Sequence, residues 1–110
     1  MKKTIYLKPI SINICWQGRR FRTPEYKKWQ EAMHYLLLPK QKDLVRGNVS
    51  VFIDLYMPHP NKCDTDNFLK PILDSLTTSR IIEDDRRVYH LEANKHLNSE
   101  YKIKIRVEKI

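Results

Sequence analysis

Residues 49–57 run Val49-Ser50-Val51-Phe52-Ile53-Asp54-Leu55-Tyr56-Met57, and the rest of the chain can be arranged around that segment. The odd positions are uniformly apolar, the period-two signature of a β-strand. The even positions, Ser50, Phe52, Asp54 and Tyr56, include two aromatics, so both faces are at least partly covered and a central strand is expected. Pro58 and Pro60 end it, because proline offers no backbone donor to a ladder.

Toward the N-terminus, Ile10, Ile12 and Ile14 alternate with Ser11 and Asn13, which predicts a half-buried strand over residues 4–14. A loop rich in positive charge follows, with Gly18, Arg19, Arg20 and Arg22, and it ends in Thr23-Pro24. Threonine caps helices and proline suits the first helical position. Tyr26, Trp29, Met33, Leu36 and Leu37 then recur at three- and four-residue intervals, giving a helix with one apolar face that Pro39 stops. Toward the C-terminus, Leu69, Ile72, Leu73 and Leu76 mark a second helix, whose start is blurred by Pro71. Tyr89, Leu91 and Ala93 predict a third strand. Tyr101, Ile103, Ile105 and Val107, alternating with Lys102, Lys104 and Arg106, predict a fourth with one dry and one basic face. These last two strands are expected to form a hairpin across residues 95–100. The order β-α-β-α-β-β, without repeat or linker, reads as one α+β domain over residues 1–110, a small mixed sheet with helices packed on it.

Lys and Arg number 21 against 13 Asp and Glu, a net charge of +8, with a sequence pI near 9.6. Polyanions are natural partners for such a chain. Cys15 and Cys63 match no metal-ligand spacing and are expected reduced, without zinc. The four histidines form no ligand set. No apolar run approaches the roughly 20 residues that span a bilayer, and the start is not that of a signal peptide, so a cytoplasmic protein with no membrane partner is expected.

The acids are distributed unevenly. Residues 64–85 hold six of them (Asp64, Asp66, Asp74, Glu83, Asp84, Asp85) against Lys70 and Arg80, a net −4; the chain totals +8, so the remainder carries +12. Like charges repel unless neutralised, and a hard divalent cation such as magnesium is a fitting neutraliser. It takes oxygen ligands at about 2.1 Å and is commonly held by one or two carboxylates plus substrate phosphates. In an extended segment Asp64 and Asp66 point to one side and can share an ion. Asp66 also stands where the second helix begins and can instead be its N-cap. Asp66, Lys70 and Asp74 follow one another at i, i+4 on a helix face. Lys70 can contact a phosphate while Asp74 positions it; an ordinary surface ladder would look the same. Asp84 and Asp85 alone would read as a surface turn. An EF-hand is excluded, since Phe68, Leu69 and Ser75 stand where that loop requires an Asp or Asn, a Gly and a Glu.

Taken together, Asp64-Thr65-Asp66-Asn67, Lys70, Asp74-Ser75-Leu76 and Asp84-Asp85-Arg86-Arg87-Val88 resemble the central signature of the RusA family of Holliday junction resolvases. Asn13, the aromatic and basic loop after it and the helix bearing Tyr26 extend the resemblance toward the N-terminus. Two departures stand out: Ser79-Arg80-Ile81-Ile82 lacks a glycine often found before the Asp-Asp pair, and Cys63 replaces an often basic residue. The resemblance implies metal binding by Asp64, Asp66 and Asp85 with Asp84 as accessory, a required Lys70, and Asn67 and Asp74 in support. It also implies a magnesium cofactor for which manganese can substitute, with no small-molecule cofactor. The implied substrate is branched DNA, a four-way junction, cut by a homodimer. Asn13, Arg19, Arg20, Arg22, Lys27 and Lys28 are the candidate DNA contacts, with Trp16 or Phe21 available to stack on unpaired bases. A nuclease of flaps and a non-catalytic basic DNA-binding module are the rival readings. The second explains less well why carboxylates outnumber bases in one window.

Overall fold

The computed structural model describes residues 1–18, 21–37 and 44–110. The segment Val49–Met57 forms strand β4, and its odd side chains are almost wholly buried. Counting from the N-terminus, the other elements are β1 (Lys2–Ile5), β2 (Trp16–Gln17), β3 (Phe21–Arg22), α1 (Pro24–Leu37), α2 (Leu69–Thr78), β5 (Val88–Leu97) and β6 (Lys102–Lys109). The main sheet has the order β1-β6-β4-β5. β4 is antiparallel to β6 and parallel to β5, while β1 is antiparallel to β6. The fold is therefore α+β with a mixed sheet and two helices, and β4 is central.

The odd side of β4 joins Ile103, Ile105 and Val107 of β6, Tyr26, Trp29, Met33 and Leu37 of α1, and Ile72 and Leu76 of α2 in one core. The even side has no second layer among the described residues. Long side chains lie over it instead: Lys102 and Lys104 above the Tyr56 ring, Arg106 above Phe52, and His96 stacked on Tyr56. Such cation–π and ring contacts shield aromatic surface while the charged ends stay wet.

Two expectations about the strands need correction. First, no single strand spans residues 4–14. β1 ends at Ile5, and Ile12–Ile14 is a 3-10 turn. Pro9 has no donor for a ladder, and the Ser11 hydroxyl accepts from the Asn13 N–H at 3.3 Å, an alternative to strand pairing. Beyond the turn the loop contains the hairpin β2–β3, registered Trp16↔Arg22 and Gln17↔Phe21 and closed through Gly18 in the left-handed region, φ 67. Arg19 and Arg20 lie outside the described residues, as does Pro39. Second, β5 and β6 are not a hairpin, because β4 lies between them. The connection passes across the end of β4, where the Asn98 N–H donates to the Met57 carbonyl at 3.0 Å. β4 is apolar along one full side and holds the centre, so the two less buried strands flank it. The strand expected at Tyr89, Leu91 and Ala93 forms as β5, an edge strand on which Tyr89 is 69 % exposed.

Local chemistry explains the helices. The Thr23 hydroxyl accepts from the Tyr26 N–H at 3.2 Å, capping α1. α2 begins at Leu69, so Pro71 falls in its first turn, where no intrahelical donor is lost. Its N-cap is Phe68. Asp66 is not the cap; it lies within the preceding 3-10 turn, Thr65–Phe68. At the other end Arg80 adopts φ 58, and the Ile81 N–H closes on the Leu76 carbonyl at 2.9 Å. Arginine thus fills a left-handed C-terminal position that glycine occupies with less strain. No helix among the described residues is long and apolar enough to cross a membrane.

Candidate active site

The polar stripe of α2 is the foundation of the site. Lys70 and Asp74 are one turn apart, and Lys70 Nζ lies 2.9 Å from Asp74 Oδ1. The connection after α2 returns the chain to this face, where the 3-10 turn Asp85–Arg87 precedes β5. It brings Asp85 Oδ2 to 2.8 Å from the same Nζ. Asp85's other oxygen accepts from the Thr77 hydroxyl at 2.7 Å. From α1, the buried Tyr26 hydroxyl donates to Asp74 Oδ2 at 3.3 Å. One ammonium group therefore holds two carboxylates, and each carboxylate has a hydroxyl on its far oxygen.

This cluster lies in a depression of about 570 Å³ whose lining also includes Trp16, Arg22, Asp84 and Arg86. Asp84 accepts from the Arg86 backbone N–H at 2.9 Å and from its guanidinium at 3.2 Å. The proton equilibria follow from these contacts. The hydrogen bonds that Lys70 donates to Asp85 and then Asp74 push the ammonium's pKa upward, so it stays charged at any physiological pH. Burial acts to raise the Asp85 carboxyl, but the Lys70 and Thr77 hydrogen bonds and the lysine charge outweigh it and leave the pKa lowered. The Arg86 backbone and then side-chain bonds lower Asp84. Burial and the negative charge of Asp74 raise the Tyr26 phenol, which remains a neutral donor.

Of the expected site residues, Lys70, Asp74, Asp84 and Asp85 share the depression. Asp64 and Asp66 are exposed, at the head of and within the 3-10 turn leading into α2, and do not contribute to its lining. Asn67, half-buried, shares that turn. Among the described residues no three His, Cys, Asp or Glu side chains converge as a ready metal site. The donor chemistry nonetheless fits a hard cation. Asp74 and Asp85 already converge on one positive charge, and one or two carboxylates suffice for magnesium when phosphates complete its shell. Arg22 lines the depression and bonds Gln30 of α1; Lys27 and Lys28 are exposed on that helix, and Asn13 is exposed in the 3-10 turn before β2. Trp16 and Phe21 are both exposed on the hairpin, at 41 % and 71 %. Thr77 was not anticipated as a site residue. Its spacing of three from Asp74 and seven from Lys70 places it on the same helix face, a signal the sequence contained.

Comparison with known proteins adds to this geometry. The profile of the family described as Endodeoxyribonuclease RusA matches residues 12–108. A curated relative, the crossover junction endodeoxyribonuclease RusA of Aquifex aeolicus (strain VF5), is 28% identical over 81 residues, which cover 73% of this chain and 64% of that protein. The chain thus spans a little under two thirds of the relative's length. The match contains the stripe of α2, the Asp84-Asp85 pair and the hairpin beside them, and on that basis the chain belongs to the RusA endodeoxyribonuclease family.

Proposed function

We propose that this protein is a magnesium-dependent endonuclease that resolves four-way DNA junctions by paired, symmetrical nicks. The observation that carries the reading is the Asp74–Lys70–Asp85 cluster in an open depression rimmed by Trp16, Arg22 and Arg86. A purely DNA-binding surface gains nothing from carboxylates that repel phosphate, whereas phosphodiester hydrolysis needs oxygen donors beside cationic groups.

By the family signature Asp64, Asp66 and Asp85 would hold the metal, with Asp84 in support; Asp64 and Asp66 stand outside the depression, and Asp74, which converges with Asp85 there, is the further carboxylate the geometry offers. When bound, that ion polarises the phosphodiester and lowers the pKa of a coordinated water, which suits a product carrying a 5′-phosphate. Asp85, with its pKa lowered, is ionised and ready as a donor. Lys70 stays protonated and therefore acts by charge, as a phosphate contact and transition-state stabiliser rather than as a base. Arg22, Lys27, Lys28 and Asn13 grip the backbone near the branch, and Arg19 and Arg20, outside the described residues, are further candidates by their charge. Trp16 and Phe21 offer faces for unpaired bases. Two nicks in strands of like polarity call for two sites related by a twofold axis, hence a homodimer. Cys15 and Cys63 are free thiols, in keeping with work in the cytoplasm.

The test is cleavage of a synthetic four-way junction, with linear duplex, flap and chelator controls. Symmetrical cutting that requires magnesium is expected, and Asp66→Asn should bind the junction without cutting it. Undiminished cleavage by that variant would remove Asp66 from the machinery, and preference for the flap would replace the substrate.

A further inference from the structure

Lys70 is a long, flexible side chain, 58 % exposed, and among the described residues Asp74 and Asp85 alone fix its ammonium group. Asp85 is itself steadied by Thr77. Asp74 has one oxygen on Lys70, and its other oxygen is held, among the described residues, by the Tyr26 hydroxyl at 3.3 Å.

That hydroxyl comes from a fixed origin. Tyr26 is 1 % exposed, and phenylalanine would supply nearly the same apolar volume at such a position. Its backbone N–H is held by the Thr23 hydroxyl, which lies 2.7 Å from the Ile14 carbonyl, and the Thr23 N–H donates to Cys15 O at 2.8 Å. Trp16 stands edge-on to the ring at 5.9 Å, and Trp29 flanks it at 6.5 Å. A ring packed this firmly offers its donor in one direction.

We infer that Tyr26 is a positioning residue for Lys70: through Asp74 it fixes where the ammonium group stands relative to the scissile phosphate. The inference rests on the proposed role of Lys70, yet goes beyond the carboxylates and lysine of the signature. A group misplaced by about 1 Å can lose up to 100-fold in rate, and supporting partners of an active-site group typically contribute 10- to 100-fold.

The experiment compares the parent with Tyr26→Phe, Asp74→Asn and the double variant. Junction cleavage at saturating substrate, junction affinity, thermal melting and the side-chain NMR resonances of Lys70, assigned through their loss in Lys70→Arg, are measured for each. Tyr26→Phe should lower kcat about 10- to 100-fold while KM and junction Kd stay within about twofold. It should also move the Lys70 resonances, and the double variant should be no slower than Asp74→Asn alone. Parental kcat in Tyr26→Phe, or a double variant whose loss multiplies the two single losses, would overturn the inference. If Tyr26→Phe melts early, the Lys70 resonances are read below its transition, and unmoved signals overturn the inference equally. If the parent cuts no branched DNA, the proposed function fails, while the Lys70 resonances still decide whether Tyr26 positions it.

Discussion

Replacing Lys70 by methionine keeps most of the side-chain volume and removes the charge between Asp74 and Asp85. The lysine is 58 % exposed and its two acidic partners are about one quarter exposed, so solvent screens both pairs strongly. Exposed ion pairs contribute about 0–1 kcal/mol each, which bounds the stability lost from the two pairs at no more than about 2 kcal/mol, a fall in Tm of at most about 10 °C for a chain of this size. The loss should depend on pH in a defined direction. Asp85 has a lowered carboxyl pKa in the parent, so its contribution is present above the ordinary value of 3.8 and fades as pH falls through the lowered one. Without the ammonium group, the burial that raises Asp85 loses its main opponent, and the variant is weakest where Asp85 is charged. The parent and Lys70→Met melting curves should therefore be furthest apart near neutral pH and draw together below about pH 4. Cleavage should respond far more than stability, by roughly 100- to 1000-fold, as when one preorganised electrostatic donor is removed. The assays are thermal melts from pH 3 to 8 and single-turnover junction cleavage. A variant that cuts normally, or one that loses well over 3 kcal/mol at every pH, would refute this account of a charge held for chemistry.

Junction affinity should fall steeply between low and physiological salt, and removing Arg22, Lys27 and Lys28 together should flatten the log–log slope by about one for each phosphate no longer neutralised. Lys95 donates from Nζ to the carbonyls of Pro60 and Cys63, both at 2.8 Å, and so clamps the loop that delivers Asp64. Lys95→Met should destabilise the protein by about 2 kcal/mol, with amide exchange accelerating over residues 60–67; protection unchanged there would show that the loop is held otherwise. Arg80→Gly should relieve the left-handed strain at φ 58 and raise stability by about 1 kcal/mol, measured by urea unfolding; a lower midpoint would show that the arginine side chain stabilises more than its backbone strains.

The strongly periodic elements were legible in the sequence. β4 follows from nine alternating residues, and α1 from a cap, a proline and an apolar stripe, because local rules and tertiary burial agree there. The Lys70–Asp74 pair was legible for the same reason, since helix geometry fixes the spacing. Alternation misled at Ile10, Ile12 and Ile14, where the hydroxyl of Ser11 and the ring of Pro9 redirect the backbone. It misled again between β5 and β6, where a short connection suggested neighbours although the more apolar β4 takes the place between them. The Tyr26–Asp74 bond depends on how α1 meets α2, and spacing within either helix carries no information on that. The missing glycine before Asp84-Asp85 was visible from the start, but only the backbone shows that Arg80 adopts the conformation in its stead.

The position of β6 has a consequence for how the chain assembles. It is last of the sheet strands in sequence, yet it touches both the first strand, β1, and the central one, β4. While a ribosome is still extending the polypeptide, β1 has nothing to pair with and β4 keeps one flank bare, so three of the four strands cannot lock together until residues 102–109 have emerged. Closure through such distant contacts makes for slow, late, all-at-once folding, and the helices must wait on an incomplete platform until then.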